Sequence, residues 1–195
     1  MRADAARRRE AIITQARHIF AERGGDVALE AIAAASGVGI ATLYRNFPSR
    51  EDLIAAVVDA MVQQILDAVA AAQTEAVEDP AAAWETLLIR LLDLELGALT
   101  DGFGVQARPA SNVARGGGSD AASPLARIQQ PALDALDELL AVLQDAKAVR
   151  GGLRGLDVIV ALATITRPQA APIREAAPEV RAQLAEAYLA WTRAG

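Results

Sequence analysis

An all-α fold is predicted by three observations. Hydrophobic residues make up 53% of the 195 residues but aromatics only 4%, and this Ala- and Leu-dominated content favours helix over sheet. Apolar positions recur at three- and four-residue spacing through most of the chain, as in amphipathic helices. Gly and Pro fall between those stretches and punctuate them. The length suits one globular unit or two small helical ones and can bury a sizeable core.

The first helix is expected over residues 7–23, with Ile12, Ala16, Ile19, Phe20 and Arg23 at helical spacing. Gly24-Gly25 supplies its terminator. Two short helices follow within Ala28–Phe47, which reads ALEAIAAASGVGIATLYRNF. Leu29, Ile32 and Ala33 open the first, Ser36-Gly37-Val38-Gly39 breaks it, and the second carries Thr42, Tyr44, Arg45 and Asn46 beside Ile40 and Leu43. Two short helices joined by a Gly-containing turn describe a helix-turn-helix, whose second helix fits the DNA major groove. Hydroxyls, an amide and a guanidinium can contact phosphates and base edges. Leu43 and Phe47, four residues apart, face inward. The candidate DNA contacts are therefore Ile40, Thr42, Tyr44, Arg45 and Asn46. Arg45 is the candidate for guanine O6 and N7, and Tyr44 for a phosphate. Arg7-Arg8-Arg9 oppose the dipole of the first helix and suit an arm lying along phosphates.

A long helix over residues 49–77 comes next, with Leu53, Val57, Met61, Ile65 and Val69 as its stripe. Ser49 caps it, and Asp52 three residues on completes a capping box. One end would touch the helix-turn-helix unit and the other the C-terminal part, an arrangement that would make this helix a lever between them. Beyond Pro80 a helix over 81–99 carries Trp84, Leu87, Leu88, Leu91 and Leu92. Residues 100–124 lose periodicity, with Gly102, Gly104, Pro109, Gly116-Gly117-Gly118 and Pro124 marking loops around a short helix. A further helix spans 123–149, where Pro131 is positioned to kink or restart it. The last two helices are expected over 152–167 and 176–193. The first of them, with Leu156, Ile159, Val160, Leu162, Ala163 and Ile165, is apolar around much of its circumference, as for a helix buried on two sides. That second face is either core or a contact with another copy.

Residues 9–58 resemble the N-terminal domain of the TetR family of transcriptional regulators. The resemblance rests on Phe20-Ala-Glu-Arg-Gly24, Leu29-Glu-Ala-Ile-Ala33, Gly37-Val38…Thr42-Leu43-Tyr44…Phe47 and Pro48-Ser49-Arg50-Glu51-Asp52-Leu53, together about a quarter of the chain. It implies a three-helix helix-turn-helix domain over 1–48, a connecting helix over 49–77 and a helical effector-binding and dimerisation domain over 78–195. It also implies a homodimeric repressor that binds a near-palindromic double-stranded DNA operator and leaves it when an unidentified small-molecule effector binds. By the same resemblance Arg50 is the phosphate-binding basic residue. Leu156, Ile159, Val160, Ala163, Leu184 and Tyr188 are the expected dimer contacts. Trp84, Leu88, Leu92 and Phe103 are expected to line the effector pocket, with Glu95 or Arg108 as polar anchor. The chain departs from the family pattern at Ala28, where Ser or Thr caps the helix, and at Gly39 and Ala41, where Ser and Gly are common.

The net charge of −6 is unevenly distributed. Residues 1–50 hold eight Arg against five acidic residues, whereas residues 51–195 hold 11 basic and 20 acidic ones. Local neutralisation of phosphates sets DNA affinity, so the basic N-terminal part outweighs the total. The chain has no Cys, which excludes disulfides, a thiolate nucleophile and Cys-based metal sites. His18 is the single histidine, and neither a carboxylate pair nor a Gly-rich phosphate loop accompanies it. No enzyme activity, catalytic residue, cofactor or metal is therefore expected. The N-terminus has no apolar signal core, and the expected location is cytoplasmic without a membrane partner. The alternatives are an activator or ligand-independent regulator and, more remotely, a DNA-independent helical interaction protein.

Overall fold

The computed structural model describes residues 2–23, 27–99 and 124–193, and these form helices linked by turns. The expected short helix and Gly-rich loops of 100–123, Gly24-Gly25 and Asp26 lie outside the described residues. Helix α1 (Arg2–Arg23) starts earlier than residue 7. Ala3, Ala5 and Ala6 are strong helix formers, and Asp4 in the first turn offsets the dipole that the arginines oppose. Ile12, Ala16, Ile19 and Phe20 of α1 are buried as expected.

Helices α2 (Leu29–Ala35) and α3 (Ile40–Asn46) are joined by a turn whose bonds explain its sequence. Gly37 has φ of +67°, and its N–H donates to the Ala34 carbonyl while that of Val38 donates to Ala33. This is a Schellman ending, and its left-handed residue favours glycine. At the departure from the family pattern, Ala28 caps α2 without a side-chain hydrogen bond.

Helix α4 (Arg50–Glu75) is the axis of the molecule. The Ser49 hydroxyl accepts from the Asp52 N–H, and the Asp52 carboxylate accepts from the Ser49 N–H, both at 3.1 Å, completing the capping box. All five stripe residues are buried, joined by Ala56, Val58, Val62, Ala68 and Ala72. By length and hydropathy α4 also suits a membrane span. Its packing against α1, α5 and α6 makes it the core helix instead.

Helix α5 (Pro80–Asp93) begins on an Asp79 cap and stops six residues short of Leu99. Glu95 takes a left-handed φ of +50°, which turns the chain into a short 3₁₀ segment, Leu96–Leu99. Helix α6 (Pro124–Asp145) continues through Pro131 and ends before 149, because Val149 pairs with Arg193 in an isolated bridge. Helix α7 (Gly155–Ile165) lies against α6, where a Cβ on Gly155 would meet the Leu133 carbonyl at 3.2 Å. An extra six-residue helix, α8 (Ala171–Ala176), precedes α9 (Val180–Thr192), which starts later than 176 because Pro178 interrupts. The indole N–H of Trp84 donates to the buried Thr192 hydroxyl at 2.9 Å and pins the end of α9 to α5.

Candidate nucleic-acid interface

The recognition helix is positioned by two apolar anchors. Leu43 and Phe47 are buried in the core, with α3 packed on α2, which turns the opposite side of α3 outward. A seven-residue helix cannot persist alone, so this anchoring holds its shape. Tyr44 is 46% exposed and Arg45 is exposed. Ile40, Thr42 and Asn46 are half-buried at the edges of the same face.

The polar groups of α3 are held by their own helix. Arg45 Nε donates to the Ala41 carbonyl at 3.1 Å and Nη2 to the Thr42 hydroxyl at 3.3 Å. Asn46 Nδ2 donates to the Thr42 carbonyl at 2.8 Å, which commits its amide to the helix end. Arg50 departs from a purely outward role: its guanidinium donates to the Val27 carbonyl and braces the entry of α2 against α4. At the other edge, the Arg9 guanidinium lies 5.0 Å from the centre of the Phe47 ring, a cation–π contact. The basic start of α1, Arg7-Arg8-Arg9, is thus helical, with Arg9 against the residue that ends α3.

Comparison with known proteins fits this geometry. The model for bacterial regulatory proteins of the tetR family matches residues 12–57, from the middle of α1 through the first two turns of α4. A TetR transcriptional regulator from Streptomyces coelicolor of known structure is 30% identical over 95% of this chain and 98% of its own, with a TM-score of 0.62. The chain belongs to the TetR family. A TetR transcription regulatory protein from Mycobacterium vanbaalenii is 26% identical over 95% of this chain and 97% of its own, with a TM-score of 0.54. No curated protein matches significantly. As a TetR-family member the chain is a DNA-binding transcriptional regulator and not an enzyme.

The remaining expected site residues of this TetR-family chain divide sharply. Trp84 and Leu88 are 1% and 2% exposed in closed core, so they fill space and do not line an open pocket. Leu92 is half-buried, and Glu95 is exposed and paired with Arg181 of α9 at 3.2 Å. Phe103 and Arg108 lie outside the described residues. A cleft of about 480 Å³ opens between α1 and α4, lined by Ile13, Arg17, Met61, Gln64, Asp93 and Glu95 among others. Ala163 is buried within the chain, next to the 3₁₀ segment, and is not on the outer face.

Leu156 and Val160 of α7 and Leu184 of α9 each leave about half their surface exposed. Ile159 and Tyr188 are half-buried between them. Ile173 of α8 and Val180 and Trp191 of α9, which sequence reasoning missed, are exposed apolar side chains too, and the Trp191 ring stacks on Tyr188. Trp191 was signalled by its spacing, three residues after Tyr188 and seven after Leu184. The Tyr188 hydroxyl is buried without a hydrogen-bond partner among the described residues. Burial, and secondarily the charge of Asp157, push its pKa up to about 12.

Proposed function

We propose that this regulator is a ligand-responsive repressor that binds a near-palindromic operator as a homodimer. In this reading residues 1–48 dock on DNA, 49–77 connect, and 78–195 bind the effector and dimerise, all in the cytoplasm. The observation that carries it is the pairing of an outward-facing α3 with a separate outward apolar layer on α7–α9. Among the described residues, six of the ten exposed large hydrophobics lie on these three helices: Leu156, Val160, Ile173, Val180, Leu184 and Trp191. Such concentration suits a self-complementary interface better than solvent.

Two α3 helices then enter successive major grooves, about 34–36 Å apart. Ile40, Thr42, Tyr44 and Arg45 face the bases and phosphates, with Asn46 and Arg50 holding the unit in shape at its edges. An effector acts by changing the separation of the two units through α4. Glu95 borders the cleft and is the retained polar candidate for it, whereas Trp84 and Leu88 would need repacking to meet a ligand.

Fluorescence anisotropy on DNA from just upstream of the coding region, with scrambled duplex as competitor, tests the proposal. Competitor-resistant binding at two chains per duplex is expected. No preference over scrambled DNA, there or in a selection from genomic fragments, would overturn it.

A further inference from the structure

Helix α4 packs on α1, α5 and α6, but a second connection leads from the helix-turn-helix unit to α7 through the 3₁₀ segment, which touches both α1 and α7. Arg17, in the second half of α1, donates through Nη1 to Gln64 Oε1 of α4 at 2.6 Å. Through Nη2 it donates to the carbonyl of Leu94, the residue that ends α5. A half-buried guanidinium with a planar fork holds two acceptors on different elements at once. Burial lowers the Arg17 pKa, and the charge of neighbouring Glu95 opposes that shift.

The far side of this turn is equally constrained. Glu95 adopts the left-handed conformation that presents the Leu94 carbonyl to α1, and its carboxylate pairs with Arg181 of α9. Two residues on, the Gly97 N–H donates to the Thr166 hydroxyl at 2.8 Å. Thr166, buried at the end of α7, donates in turn to the Leu162 carbonyl at 2.7 Å. A Cβ on Gly97 would stand 2.2 Å from the Ala163 carbonyl oxygen and 2.3 Å from the Arg167 nitrogen, so backbone is packed on backbone there. Close packing of this kind transmits displacement instead of absorbing it.

We infer that Arg17 is a positioning residue for operator binding: by tying α1 to the Leu94–Gly97 turn, it fixes where the recognition helix stands relative to α7–α9. This rests on the dimeric reading, in which that position sets the separation of the two α3 helices. Removing the tie leaves each helix-turn-helix unit intact but lets the two stand at a broader range of separations.

The test uses the full-length protein and an operator selected from a random duplex pool. The spacer between half-sites is then lengthened or shortened by one and two base pairs, about 3.4 Å each along the axis. Wild type should lose about tenfold in affinity per base pair of error, within the range of a mismatched site. R17L should lose about threefold or less, with single-half-site affinity and dimer mass unchanged. Arg17→Lys keeps the charge but cannot span both acceptors, so it should broaden the profile too, and it replaces the Leu variant if that one fails to fold. Thr166→Val, remote from α1, should do the same, and Thr166→Ser should restore discrimination. A purely structural role would lower the melting temperature and leave the spacer profile sharp. Variants that keep the wild-type profile overturn the inference alone. A wild type that is monomeric by sedimentation, or indifferent to spacer length, overturns the dimeric reading with it.

Discussion

Arg45 and Arg50 sit five residues apart and do different work. The two bonds that fold Arg45 back onto α3 are exposed, so water replaces them at little cost when the side chain extends. A bidentate guanine contact is worth about 1–3 kcal/mol of discrimination. Arg45→Ala should therefore weaken operator binding by about that amount and relax base preference at one position per half-site. Binding to operators carrying each base at that position measures it. Arg50→Ala removes the brace on Val27 and should weaken all sequences alike. Equal, sequence-independent losses from both changes would contradict this division. Tyr188 gives a second residue-scale expectation. Its phenol stays neutral in the fold up to about pH 12, whereas in the unfolded chain it ionises near 10. The neutral form is favoured by folding, so this stability is fully present below pH 10 and is lost as pH rises through the folded pKa. Tyr188→Phe should flatten that part of the stability profile, and an unchanged slope would assign the alkaline loss to other groups.

Caps decide how well the short elements hold. Ala28 gives α2 no side-chain bond, while Ser49 gives α4 a complete capping box. Ala28→Thr should add about 1 kcal/mol of stability, and Ser49→Ala should remove a similar amount. Thermal unfolding of the two variants checks both signs. A neutral Ala28→Thr would mean that the α2 entry is capped from elsewhere. The Ser49 cap was legible because it depends on spacing along the chain, with Asp52 three residues on, whereas the Asp79 cap of α5 emerged only in the structure. The α4 stripe was legible too, and its every member is buried. The end of α5 was not legible. Leu94, Leu96 and Leu99 continue a helical spacing, and nothing local announces that Glu95 turns left-handed, a conformation mostly reserved for Gly and Asn.

At the scale of the molecule, charge and apolar surface are segregated. The N-terminal part is basic, the acidic remainder discourages unspecific contact with DNA, and α7–α9 carry six of the ten exposed large hydrophobics among the described residues. Operator affinity should accordingly fall linearly in log–log form with salt, and a flat dependence would speak against phosphate contacts. Val160→Glu or Leu184→Glu places a charge in the proposed interface without disturbing the chain's own core. Sedimentation should then show folded monomers, and persistent dimers would move the interface elsewhere. Ala163→Glu cannot serve for this purpose, because Ala163 is buried beneath the 3₁₀ segment and the substitution would disrupt the fold itself.

The sequence by itself determined the helical class, the helix-turn-helix with its glycine turn, the inward pair Leu43 and Phe47, and the family to which the chain belongs. Those features are set by contacts within a few turns of chain, and neighbouring residues carry them. Only the tertiary structure decided that Trp84 and Leu88 are closed core, that Ala163 faces inward while Val160 faces out, and that Arg17 bonds the Leu94 turn. Helical spacing tells that a side chain faces something apolar. Whether that something is another helix, a ligand or a second copy depends on how helices distant in sequence cross, and those crossings arise only when the whole core packs.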